Sequence, residues 1–80
     1  MEDVLAGQRL FGRITLESRT VASAGYDDPS ATMEVEFVEG RVYRYFVVPR
    51  SVFDALLTAD SVGRFFQEHI RDVYPFERIH

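Results

Sequence analysis

The chain contains no cysteine and no lysine. Without cysteine there is no disulfide and no thiolate metal site to reinforce a small fold. His69 and His80 are the only histidines, and neither has an acid at ligand spacing, so no metal site is expected. No glycine-rich phosphate loop or dinucleotide fingerprint occurs, and no cofactor is expected. No apolar run approaches membrane-spanning length, and the start, Met1-Glu2-Asp3, is acidic rather than basic. The expectation is a cytoplasmic protein with no membrane partner. Ser51, Ser61 and His69 lack any nucleophile context, and Glu34 and Glu36 are explained more simply by Arg44 than by acid–base chemistry. No catalytic residue is assigned, and the chain is read as not an enzyme.

The 80 residues make a single domain, 46% hydrophobic and 14% aromatic, with seven Phe and four Tyr. Stability must come from packing, and the aromatic supply exceeds what one small core readily hides. That excess points to oligomerisation. The net charge of −4 opposes bulk affinity for nucleic acid. The charge is unevenly spread: three Arg face eight carboxylates in residues 1–40, and six face five in residues 41–80.

Residues 1–9 are polar and are expected to be poorly ordered. Ile14 and Leu16 alternate with polar neighbours within residues 10–17, a short candidate strand. Residues 19–26 form a second, and Asp27-Asp28-Pro29-Ser30 is a turn. Met33, Val35 and Phe37 alternate with Glu34 and Glu36, the clearest strand. Its partner, residues 42–48, follows a three-residue loop in which Gly40 suits the left-handed position. That register sets Tyr43 opposite Val35, Arg44 opposite Glu34 and Tyr45 opposite Met33. A two-residue loop would bury Arg44 instead, which disfavours it.

Pro49 closes the strand and opens a helix over 50–59, with Val52, Phe53, Leu56 and Leu57 as its apolar stripe. A second helix spans 62–73, capped by Ser61 and stopped by Pro75. Its apolar side carries Val62, Phe65, Phe66, His69, Ile70 and Val73. His69 reads as a hydrogen-bonded boundary residue. The fold class is α+β: an antiparallel three-stranded meander, with residues 10–17 as a candidate fourth strand, followed by two helices packed on one face. Residues 1–17 form an N-terminal extension and 18–80 the domain. Val38, Val42, Phe46 and Val48 fall on the other sheet face, to be covered by the N-terminal segment or a second subunit, and so a candidate interface for a second copy or a protein partner.

The blocks Gly25-Tyr26-Asp27, Met33-Glu34-Val35-Glu36-Phe37, Val42-Tyr43-Arg44-Tyr45-Phe46, Val48-Pro49, Gly63-Arg64-Phe65-Phe66, Ile70-Arg71 and Tyr74-Pro75-Phe76 together resemble the KTSC domain family over about residues 18–79. That domain stands alone in bacteria or is appended to the C-terminus of some lysyl-tRNA synthetases. Its hallmark is a Tyr-x-Tyr strand, here Tyr43-Arg44-Tyr45. By the synthetase context, the resemblance implies RNA binding. The sequence departs from the family pattern at Val47, where the resemblance implies a polar residue, often Asn, and at Gln67, where it implies Asn.

RNA or another single-stranded nucleic acid is held by aromatic platforms beside cations. Tyr43 and Tyr45 share a strand face with Arg41, and Arg44 lies between them on the other. The competing reading makes both rings core, on the face of Met33 and Val35. Arg50 and the stretch Ser61-Val62-Gly63-Arg64 open the two helices, where free N–H groups suit phosphate. The simpler account pairs Arg50 with Asp54, and Arg64 with Asp60 or Glu68. Arg71 shares the outer helix face with Arg64 and Glu68. The leading expectation is a non-catalytic nucleic-acid-binding module using Arg41, Tyr43, Arg44, Tyr45, Arg50, Arg64 and Arg71. A protein-interaction or homo-oligomerisation module is the alternative.

Overall fold

The computed structural model describes residues 12–80. The expectation for residues 1–9, and the first two residues of the 10–17 strand, lie outside them. Among these residues, five strands and two helices follow in order: β1 (Arg13–Thr15), β2 (Val21–Asp27), β3 (Thr32–Phe37), β4 (Val42–Tyr45), α1 (Arg50–Thr58), α2 (Val62–His69) and β5 (Phe76–Arg78). The strands form one sheet in sequence order, and every neighbouring pair is antiparallel. The fold is α+β, with β1 as the extra N-terminal strand. The chain then crosses both helices before β5 returns beside β4, a fifth strand that sequence reasoning did not anticipate.

The central hairpin sets the register. Gly40 adopts φ +110°, which only glycine takes without strain. Its N–H donates to the Phe37 carbonyl at 2.9 Å, and the Phe37 N–H to the Arg41 carbonyl at 2.8 Å. Val35 then pairs with Tyr43, Glu34 with Arg44 and Met33 with Tyr45. The three-residue loop is therefore the right one, and the two tyrosines face the helices.

Val21, Ala24, Met33, Val35, Phe37 and Tyr45 from the sheet meet Val48, Phe53, Leu56, Phe66 and Ile70 in one core. Burying such side chains stabilises by about 1.5–3 kcal/mol each. Tyr26 stacks on Phe53 at 5.3 Å and donates its hydroxyl to the Val48 carbonyl at 2.5 Å, tying α1 to the sheet. Ser61 caps α2, accepting the Arg64 N–H at 3.2 Å. A Cβ on Gly63 would come within 3.1 Å of the Thr20 hydroxyl, so glycine lets this first turn sit against the β1–β2 connection.

The face away from the helices is polar at its centre. Glu34 is only 1% exposed, and its carboxylate lies 3.0 Å from Arg44 Nε and 3.3 Å from Arg13 Nε. Ser23 donates to Glu36 at 2.8 Å. A buried charge is tolerated here because two guanidinium groups flank it.

Three expectations need correction. Strand β4 ends at Tyr45, because Val47 adopts φ +58° and turns the chain. Period-two alternation fails past this point, so Val48 lies in the core and not on the opposite face. The second helix stops at His69, because the Ile70 and Arg71 N–H groups both bond the Phe66 carbonyl and Asp72 turns left-handed at φ +64°. Val73 is consequently exposed.

Left-handed backbone costs an L-residue about 1–2 kcal/mol, and a β-branched residue fits it poorly. Val47 is 72% exposed, so it has little packing to offset that cost. The family resemblance leads one to expect a polar residue here, often Asn, and Asn tolerates the conformation, which gives the departure a backbone meaning. Replacing Val47→Asn should raise stability by about 1 kcal/mol in urea unfolding; an unchanged or lower midpoint would contradict the strain.

Candidate aromatic cleft

Tyr43 and Tyr45 stand two residues apart on β4, so their rings leave the same sheet face and stack at 6.3 Å, 21° from parallel. Phe37 meets Tyr43 edge-on at 5.7 Å and Phe66 at 5.2 Å, which links β3 to α2. On the other flank, β5 pairs Phe76 with Tyr45. The Phe76 ring lies 5.6 Å from Tyr43 and 5.9 Å from Tyr45, yet the residue is 55% exposed. The ring set therefore grades from buried to open: Tyr45 is 4% exposed, Tyr43 half-buried, and Phe76 presents a surface.

Together these rings floor a cleft of about 300 Å³, lined also by Thr20, Glu39, Arg41, Gln67, Arg71 and Asp72. The Arg41 guanidinium lies 5.8 Å from the Phe37 ring centre and 6.0 Å from that of Tyr43, and pairs with Glu39. Hydrogen bonds from its own backbone and then from Arg41 hold the Glu39 carboxyl below its ordinary pKa. Arg71 donates to the Gln67 side-chain oxygen at 3.1 Å. The lining thus sets two cations and two carboxylates around an aromatic floor, of which Arg41 and Glu39 form an ion pair. Among the described residues, no cluster of three or more His, Cys, Asp or Glu could hold a metal, and no helix is long and apolar enough to cross a membrane.

Of the candidate nucleic-acid residues, Arg41, Tyr43, Tyr45 and Arg71 meet in this cleft. Arg44 lies on the opposite face with Glu34. Arg50 is engaged elsewhere: it pairs with Asp28 at 2.6 Å and Asp54 at 3.2 Å, and covers the Tyr26 and Phe53 rings. Arg64 borders a separate shallow depression with Ser61 and Glu68, and forms no ion pair with Asp60 or Glu68. Sequence reasoning missed Phe76, Gln67 and Asp72 as cleft residues. Phe76 belongs to a strand of only three residues, too short to show a period. Of the candidate interface residues, Val38 is exposed and Phe46 half-buried, while Val42 and Val48 are buried, so the four do not form one apolar patch.

Burial, and then the neighbouring Tyr43, push the Tyr45 hydroxyl up to about 12. The ordinary pKa is 10.0, so the folded state keeps this proton where the unfolded chain loses it. Stability is therefore full below about pH 10 and declines as pH rises toward 12. Tyr26, raised chiefly by burial, acts in the same direction. Substituting Tyr45→Phe should flatten the alkaline fall in melting temperature; an identical alkaline profile would show that Tyr45 ionises as freely folded as unfolded.

Residues 17–74 match the KTSC domain. A KTSC domain protein from Yersinia pestis, known from its crystal structure, superposes with a TM-score of 0.82 at 30% identity, over 88% of this chain and 99% of that one. An uncharacterized protein of Stutzerimonas stutzeri is 48% identical over 56 residues, 70% of this chain and 79% of its own length. A lysine–tRNA ligase of Nostoc punctiforme is 33% identical over 79 residues, and this chain spans 13% of it. With the Tyr43-Arg44-Tyr45 strand at the heart of the matched segment, the chain belongs to the KTSC domain family.

Proposed function

We propose that the protein is a non-catalytic module that binds single-stranded RNA in the aromatic cleft. The observation that carries the reading is the open Phe76 ring beside half-buried Tyr43, with Arg41 and Arg71 in the same lining. Ring faces accept unstacked bases, and guanidinium groups accept phosphate. The lysine–tRNA ligases similar to this chain act in a tRNA context, which supports the same reading. Their ligase activity is not carried over, since the similar segment is a small fraction of each.

Electrostatics set what kind of binder this is. A net charge of −4 gives no general attraction for a polyanion, and Glu39 and Asp72 stand beside the two cleft arginines. Binding is therefore led by stacking, with at most two phosphate contacts. Among the described residues, the candidate interface positions give the self-association reading less support, since Val42 and Val48 are buried.

For single strands, each phosphate neutralised contributes about −0.7 to the salt slope, so two arginines give about −1.4. Affinity for a labelled single-stranded RNA should then fall about sevenfold between about 50 and 200 mM salt. Replacing Phe76→Ala should cost about 1–3 kcal/mol of binding. Absence of binding at low salt, or full affinity without the Phe76 ring, would overturn the proposal.

A further inference from the structure

Stacking alone does not choose among bases, because every base has a π-face. Choice comes from the groups at the edge of the ring floor. Two such groups in the cleft are Gln67 and Asp72. Arg71 already occupies the Gln67 side-chain oxygen at 3.1 Å. That bond turns the Gln67 oxygen toward Arg71 and leaves the amide N–H2 to donate to a ligand. The Asp72 carboxylate makes no ion pair or hydrogen bond among the described residues. Glu39, the other acid of the cleft, is already paired with Arg41.

A free carboxylate is out of place in a site that merely follows a phosphate backbone, since it repels the ligand. It suits a base edge that carries two adjacent N–H donors. Guanine has that edge: N1–H and N2–H2 run parallel, matching the two oxygens of one carboxylate, as in other bidentate contacts. Its O6 stands next to N1–H and accepts from an amide N–H2. The other bases put a lone pair against the carboxylate. Adenine presents N1, cytosine presents N3 and O2, and uracil flanks its single N–H with two carbonyls.

The cleft, at about 300 Å³, is at the small end of ligand pockets and fits one base rather than a run. We propose that the cleft selects a single unstacked guanine, with Asp72 accepting from its N1–H and N2–H2 and Gln67 donating to its O6. Tyr43 and Phe76 supply the stacking faces. This rests on the nucleic-acid reading above and adds the base.

The test compares uridine-rich single-stranded RNAs carrying one central guanosine, adenosine or cytidine, in titrations with the intact protein. The guanosine strand should bind about tenfold more tightly than the others. Asp72→Asn, which also tolerates the left-handed backbone, should bring the strands to within about twofold while leaving adenosine affinity undiminished. Equal affinities in the unmodified protein, or a guanosine preference that survives Asp72→Asn, would overturn the guanine assignment and leave RNA binding standing. Failure of every strand to bind would overturn both.

Discussion

Everything in the cleft depends on the register between β3 and β4. That register follows from a three-residue hairpin loop with Gly40 at φ +110°. Side chains alternate along a strand, so a slip of one residue would exchange the two faces. Arg44 would be driven against the helices, and Tyr43 and Tyr45 would leave the core and the cleft together. Two penalties oppose the slip. One is the loss of the Arg44–Glu34 pair, whose carboxylate is buried; the other is the loss of the ring cluster against Phe37 and Phe66. Strand β3 is thus specified from both sides, by charge on one face and by packing on the other.

The rest of the molecule places cleft residues on that frame. Gly63 brings α2 close to Thr20, which seats Phe66 against Phe37 and Tyr45. The left-handed turn at Asp72 ends the helical run and sends the chain back toward β5. Pairing of Phe76 with Tyr45 then adds the outermost ring. Tyr45 serves as a support for Tyr43 and Phe76 more than as a platform, since it is almost wholly buried. The core reading of the tyrosines therefore holds for Tyr45, while Tyr43 is half-buried and borders the cleft.

What could be read from sequence was what local pattern and short loops determine. Alternation in residues 33–37 and the position of Gly40 sufficed for the hairpin; Ser61 announced the second helix; Arg50 and Asp54 paired at helical spacing. Features that depend on tertiary contact were not legible. Strand β5 has three residues and exists because β4 has a free edge to offer. Val47 is a poor choice for left-handed backbone, so nothing local warned that Val48 would turn into the core. In the candidate site, the Tyr-x-Tyr strand and Arg41 could be placed together from period two alone. Phe76, Gln67 and Asp72 come from elements after the helices, and only the fold brings them to it. Arg50 lies elsewhere because Asp28 and Asp54 hold its guanidinium, and Arg64 borders a separate depression, so the fold does not bring either to the cleft.

In the proposed function, this face of the sheet, and not the face of Glu34, engages single-stranded RNA. The most direct test is NMR, following amide and aromatic-ring resonances while a short single-stranded RNA is added. Shifts should concentrate at Arg41, Tyr43, Gln67, Arg71 and Phe76, with Arg13, Glu34 and Arg44 unmoved. Perturbation centred on Arg13 and Arg44, or none at saturating RNA, would contradict it.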